Sequence, residues 1–504
     1  MRILSYVAIA GALSAGAILH AATAISAGSP RCEDRIDPLG VDIAKPRFSW
    51  KIDSDQRGQA QTAYEVVVDG VWDSGKVNSS ESLHVEYGGP ALATAKGYTW
   101  KVRVWGANGE ASDWSGPAGF STGLSAWSAK WIGREEIANT AVFGTAQWIW
   151  YPEGSPAASA PVATRYFRKT VTLTEKPLRA SCMLAADNGY QLTVNGTAVG
   201  QGSDFSHPDE FDISALLNVG DNTIAITANN IGTGANPAGM IARLHAEFAT
   251  SPALDVATNA QWQASKDGTT WVTAMALGNY GVGPWGALNT RPLPATYLRK
   301  DFTIDTQKTA TRATAYVCGL GFFNLFLNGQ QVSDHVMDPA LSDYAKAAYY
   351  VTFDVTGQIQ AGANAVGVAL GNGRFLAPRF QSPAVTTTYG FPKLLLQLEI
   401  EYDDGSKSTI VSDETWKLTN QGPIRTNNEY DGETYDARME MPGWNATGFD
   451  ASAWETAKVV TAPGGALKSQ MIEPMRVTQI LKPVAVTSPK PGTYIIDMGQ
   501  SFYG

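Results

Sequence analysis

Cysteine is scarce in this chain. Its 504 residues hold three, Cys32, Cys182 and Cys318, too few for a disulfide framework. Cys182 and Cys318 lie in apolar strand-like runs, where a buried free thiol is the expected state, and Cys32 lies near the mature N-terminus. Five scattered histidines with no His/Cys ligand spacing give no zinc signature. Helical periodicity is missing from every long segment beyond the N-terminus. The formal net charge is -9 and carries no basic stripe, which argues against nucleic acid as a partner. After the N-terminus no apolar run is long enough to span a bilayer.

Glycine, proline and aromatics are plentiful instead. Fifty Gly, 26 Pro and 15 Trp, with turn signals recurring along the chain, favour β-sandwiches. Hydrophobic content of 44% is ample for large cores, and the length suits roughly three to four domains. A mildly acidic, Trp-rich surface is compatible with carbohydrate, because indole faces stack on sugar C–H faces; most of the Trp are nevertheless expected in cores. Residues 1–27 read as a signal peptide, with Arg2, an apolar Ile3 to Leu19 and the small-residue site Ala22-Thr23-Ala24. A retained membrane anchor is the alternative. The expected location is secreted or periplasmic, with no membrane contact after cleavage.

The chain divides by pattern into an all-β series. Residues 28–124 hold about seven short strands, among them Tyr98–Trp105 with period-2 alternation, and read as a fibronectin type III-like or immunoglobulin-like sandwich. After the connector Trp127–Gly133 the sequence repeats itself. Tyr166-Phe167-Arg168-Lys169 matches Tyr297-Leu298-Arg299-Lys300, and the Asn195-Gly196 turn matches Asn328-Gly329. Phe211-Asp212-Ile213-Ser214 matches Phe353-Asp354-Val355-Thr356, Gly220-Asp221-Asn222 matches Gly362-Ala363-Asn364, and Trp262 matches Trp416. The period exceeds that of solenoid repeats, so the expectation is two whole jelly-roll-like domains, 125–290 and 291–465. Gln147–Pro152 and a flexible Ser/Ala/Pro stretch at 155–163 decorate the first copy, and Asn427–Arg438 the second. Residues 466–504 read as the start of a further β-sandwich that is cut short.

One difference between the copies points to function. The first has a polar corner, Asp187-Asn188, between two strands; the second has Leu320-Gly321 there. Asp187-Asn188 is either an Asx-type turn or a pair of hard oxygen ligands. A second cluster, Glu429, Asp431, Glu433 and Asp436, admits a glycosidase pair, a calcium loop, or a solvated turn with a surface ion pair to Arg438.

Four stretches together resemble the bacterial α-L-rhamnosidases of glycoside hydrolase family 78. They are PLGVD…PRFSW (38–50), LNGQQVSDHVMDPALSDY (327–344), NEYDGETYDAR (428–438) and DMGQSFYG (497–504), the last with Ser501 where the family usually has Asn. The resemblance implies a layout of fibronectin-like domain and β-sandwiches ahead of an (α/α)6 catalytic barrel, which this chain lacks and which is expected downstream. The inverting reaction it implies pairs a general acid with a general base. Those acids lie in the barrel, so no residue here is assigned as catalytic, and the 429–436 cluster becomes structural or an interface with the barrel.

The first copy also resembles the rhamnose-binding module of carbohydrate-binding family 67. That likeness implies that Asp187 and Asn188 bind Ca2+, which itself touches sugar hydroxyls, with further oxygens from the loop Asn229–Pro237. Asp187, Asn188 and Asn236 are then the candidate metal ligands, and Asn230, Asn236 and Pro237 join them as candidate carbohydrate-binding residues. Calcium takes six to eight hard oxygens in flexible geometry, which suits such a set. The implied partner is a rhamnose-containing glycan or glycoside. The expected function is the N-terminal part of an exported α-L-rhamnosidase, inactive alone. The alternatives are a free-standing rhamnose-binding lectin-like protein and a structural surface protein.

Overall fold

The computed structural model describes residues 25–134, 143–286, 288, 293–377 and 388–501. Residues 1–24 of the leader and 502–504 of the last motif lie outside them. Among the described residues the only helical pieces are three short 3-10 turns.

Alternation builds the first sandwich. Along Gly97–Trp105, Tyr98, Trp100, Val102 and Val104 turn inward while Thr99, Lys101 and Arg103 face out. A four-stranded sheet containing this strand packs on a three-stranded one, with Phe48 against Trp100 at 4.4 Å in the core. Ile25 and Ala27 are part of that core, and Ser26–Cys32 is a strand paired to Arg47–Asp53. Residues 25–27 therefore belong to the folded domain, because Ile25 and Ala27 point into the sandwich, although the sequence reading assigns them to a signal peptide.

The two copies are two sandwiches of the same topology. In the first, one sheet runs Thr197–Gly202, Gly189–Val194, Gly220–Asn230, Ala163–Leu173, Gln263–Ser265, Trp271–Thr273. Its counterpart runs Gln330–Gln331, Phe323–Leu327, Gly362–Leu370, Thr296–Ile304, Lys417–Thr419, Glu455–Thr456. Both Asn-Gly turns have left-handed backbone at both residues, as tight hairpins require. Each turn Asn is locked the same way. Asn195 Nδ2 donates to Asn222 Oδ1 and Asn195 Oδ1 accepts from Thr223 N, both at 2.8 Å; Asn328 makes the same two bonds with Asn364 and Ala365 N. Trp262 and Trp416 are buried in the two cores, each donating its indole N–H to a backbone carbonyl five residues back.

Several boundaries differ from the sequence reading. Gln147–Trp150 is a strand of the second sheet and not a decoration, with Trp148, Ile149 and Trp150 fully buried. The Ser/Ala/Pro stretch is anchored, since Ala160 is buried and bridges Asn236. The connector before the first copy belongs to the second. Ile132 pairs with Leu394, in the place that Ile149 takes against Met240 in the first copy. A hydroxyl pins each of these edges: Thr258 bonds Gln147 O and Ala242 N, and Ser412 bonds Lys130 O and Leu396 N. Trp127, Ala129 and Trp131 pack on the second copy's Tyr316, Tyr350 and Leu395. The first copy is thus an insertion between the edge strand Ile132–Gly133 and the rest of the second copy. The 125–290 boundary fails because nearness in sequence is not nearness in the sheet.

Ala466–Ser469 extends the second copy rather than opening a new module, as a parallel edge strand beside Ala347–Tyr350. Met471 then packs on the first sandwich. Beyond it, a two-stranded hairpin, Ala485–Lys490 with Thr493–Asp497, leaves Val486, Ile495 and Ile496 exposed.

Candidate functional site

The strand Arg179–Asp187 sends Cys182, Leu184 and Ala186 into the main core of the first copy. Its other face, with Met183 and Ala185, meets a second cluster formed by Trp148, Ile241 and Trp285. Period-2 alternation therefore puts Asp187 on this second face. Opposite it in the sheet is Gly239. A Cβ on Gly239 would lie 2.5 Å from the Trp285 ring, so the missing side chain is what lets the indole settle there. Trp285 stacks on Trp148 at 4.3 Å and donates its indole N–H to Asp187 Oδ2 at 3.0 Å.

Asp187 is only 7% exposed. Burial pushes its pKa up, opposed by the Trp285 hydrogen bond, and no basic group among the described residues contributes. A carboxylate taken from water with one neutral donor is short of counter-charge.

Asn188 follows through a cis peptide bond and turns to the neighbouring sheet. Its amide N donates to Asn229 O at 2.8 Å and its Oδ1 accepts from Ile231 N at 2.7 Å. The corner thus meets the start of the 229–237 loop. Asn236 closes that loop. Its backbone bridges Ala160, its Nδ2 donates to Gly234 O at 2.9 Å, and Pro237 follows, half-buried. No partner of Asn236 Oδ1 is found among the described residues.

Asn230 has a different place from the one its neighbours suggest. It is buried, its Nδ2 donating to Ala160 O and Pro161 O at 3.2 and 3.1 Å, and its Oδ1 is unpartnered. Asn372 repeats this in the second copy, where Nδ2 donates to Leu293 O and Asn427 O and Oδ1 is again unpartnered. A device present in both copies, including the one without the polar corner, is a clamp between strand end and incoming chain.

In the second copy's corner a buried Leu320 takes the place of Asp187, and Gly321, in the place of Asn188, has no room for a side chain. At Gly321 (φ +99°) a Cβ would lie 1.8 Å from Gly371 O. The 429–436 cluster forms a small hairpin, Ile424–Asn428 with Gly432–Tyr435. Glu429 pairs with Arg374 at 2.8 Å. Asp436 accepts from Arg438 and is pushed down to about 2 by it. Those contacts are the surface ion pairs of a solvated turn. Sequence reasoning missed Trp285, which lies 98 residues from Asp187; the flanking Gly283-Pro284 and Gly286 mark only a turn that presents an aromatic.

Comparison with known proteins places these sandwiches. Residues 308–479 match the α-L-rhamnosidase N-terminal domain family, and residues 27–126 match the Rha78A-like N-terminal immunoglobulin domain. An α-L-rhamnosidase of Streptomyces avermitilis is 36% identical over 96% of this chain and 49% of its own length. The structure of a Streptomyces avermitilis α-L-rhamnosidase complexed with L-rhamnose superposes with TM-score 0.76 at 36% identity, over 95% of this chain and 49% of that one. An α-L-rhamnosidase structure from Dictyoglumus thermophilum gives TM-score 0.57 at 30% identity, over 94% and 38%. The chain spans about half the length of the first of these relatives and less of the other.

Proposed function

The chain belongs to the α-L-rhamnosidases as their N-terminal region, and from that premise we propose that its first copy captures a terminal rhamnosyl residue through a calcium ion at the Asp187–Asn188 corner. The protein as a whole then hydrolyses terminal α-L-rhamnosyl residues of glycosides or polysaccharides. The acid and base of that reaction lie outside these sandwiches, and export follows from residues 1–24.

The observation carrying the binding proposal is Asp187 itself, a buried carboxylate with, among the described residues, one neutral hydrogen bond and no basic neighbour. The donor set fits a hard cation in kind. Asp187 offers the oxygen not bonded to Trp285, and Asn236 offers Oδ1; Asn188 holds the corner against Ile231 while its own Oδ1 is engaged. A bound calcium ion would supply the missing positive charge and leave coordination positions for vicinal sugar hydroxyls. The chain's own part is to hold Asp187 from behind through Trp285 and to fix the loop through Ala160.

Retention on a rhamnose-bearing polysaccharide tests this. Retention should need calcium, vanish with a chelator, and be lost in Asp187→Ala with folding unchanged by circular dichroism. Retention that survives both treatments sinks the proposal.

A further inference from the structure

We propose that the cleft between the first sandwich and the second copy binds an anionic sugar residue, carboxylate- or sulfate-bearing. The cleft has a volume of about 520 Å³, within the roughly 300–1,000 Å³ range of small-ligand pockets and larger than an inorganic anion needs. The first sandwich supplies one wall, with Arg31 and Arg35. The second copy supplies another, around His335 and Thr352, and the segment 470–476 closes it with Arg476.

Three arginines thus line one cleft, beside the acids Asp37, Asp354 and Glu473, in a chain whose net charge is -9. Each is only partly engaged. Arg31 Nη1 donates to Asp34 O at 2.8 Å. Arg35 Nη1 donates to Gln470 O at 3.2 Å, with Glu473 at 3.8 Å. Arg476 pairs with Asp334. A guanidinium carries five N–H donors in a planar fork matched to carboxylate and sulfate oxygens.

The acids lining the same cleft are held by other donors or face water. Asp37 Oδ1 accepts from Gly119 N at 2.6 Å. Asp354 Oδ1 accepts from Thr356 N and its hydroxyl, and the Glu473 side chain is 73% exposed. His335 is taken by the buried Asp338 at 2.7 Å. Ile36 and Ile472, 68% and 57% exposed, give the rim apolar ground for the C–H face of a sugar ring. Anion-binding forks beside apolar rims suit an acidic sugar better than a bare anion or a neutral sugar. This site is separate from the Asp187 corner and does not depend on the calcium proposal.

Titration calorimetry of the whole chain tests it, with chelator present so that calcium binding is silent. The probes are a hexuronic-acid trisaccharide, its neutral methyl ester, and a sulfated neutral trisaccharide. The acidic trisaccharide, the sulfated one or both should bind, more weakly at higher salt, and the arm that binds identifies the anion. Arg35→Ala and Arg476→Ala should each weaken binding about tenfold or more, as loss of a charge-assisted hydrogen bond implies. Ile472→Glu, which puts a negative charge at the exposed rim with every arginine in place, should weaken it as well and guards against misfolding of the arginine variants. Equal binding of the ester, no binding of either anion, or unchanged affinity in all three variants overturns the proposal. So does binding lost in Asp187→Ala but kept in Arg35→Ala.

Discussion

The two copies are one scaffold used in two ways, and Arg168 and Arg299 make the difference concrete. They occupy the same strand position in matching sheets, opposite Ala225 and Gly367 respectively. In the first copy Arg168 lies on the sheet surface, stacked 4.0 Å over Trp271 and bonded to Gln263. In the second, the segment around Trp444 and Phe449 folds over this face. Arg299 is 2% exposed beneath it and donates to Ala446 O, Phe449 O and Asp301. Gly367 permits that cover, since a Cβ there would lie 2.8 Å from Asn445 and 2.9 Å from the Trp444 ring. The second copy has spent its faces and its corner on packing. The first keeps an open face and a buried acid at its corner, and a duplicated fold can be turned to binding wherever its twin is covered.

The comparison breaks most visibly if the polar corner is grafted onto the second copy. Gly321→Asn, which copies Asn188, must place a side chain where a Cβ already overlaps Gly371 O, on left-handed backbone. It should destabilise that sandwich by more than about 4 kcal/mol, read as loss of hydrogen-exchange protection confined to the second copy. The arginine pair sharpens it next. Arg299→Ala should cost about 2–3 kcal/mol, because it leaves the covered Ala446 and Phe449 carbonyls without their donor while the exposed Asp301 carboxylate returns to water, whereas Arg168→Ala should cost under about 1 kcal/mol. Chemical denaturation with domain-resolved exchange distinguishes the two.

The smallest effect carries an unusual sign. Burial raises the pKa of Asp187, so the folded state holds its proton more strongly than the unfolded state. The stability this contributes is fully present below the unfolded pKa and is lost as pH rises through the folded one. Without calcium, Asp187→Asn should therefore raise Tm near neutral pH by about 1–2 °C, as a few tenths of a kcal/mol would in a domain of this size, and the gain should vanish in acid. With calcium the order should reverse, because only the carboxylate gains a cation. A Tm profile against pH, with and without calcium, checks both.

Local chemistry made much of this readable in advance. The Asn-Gly turns, the alternating strands, and Trp262 and Trp416 in the cores all follow from short stretches of sequence, whereas the 229–237 loop is brought to the corner only by resemblance to a binding module. What escaped depends on distant chain. Nothing near Ile132 shows that its partner is Leu394, and nothing near Asp187 points to Trp285. Asn230 misled for another reason: it neighbours the corner, and only its structural twin Asn372 reveals it as a clamp. The expected signal peptide is drawn through residue 27 because Ile25 and Ala27 are as apolar as the run before them, and only their inward orientation shows that they belong to the sandwich.

The insertion has a consequence for how the chain reaches its fold. Ser412 and Lys130, which pin the host sandwich's edge, are 282 residues apart in sequence. Closing so long a loop is slow, since ordering entropy is lost before the contact rewards it. During synthesis the inserted copy emerges whole before its host can be completed, and domains generally fold as units as they emerge. Once folded, it shortens the span that the edge strand must search. The inserted module would then also be a folding staple, and lesions that unfold it should slow the maturation of its host.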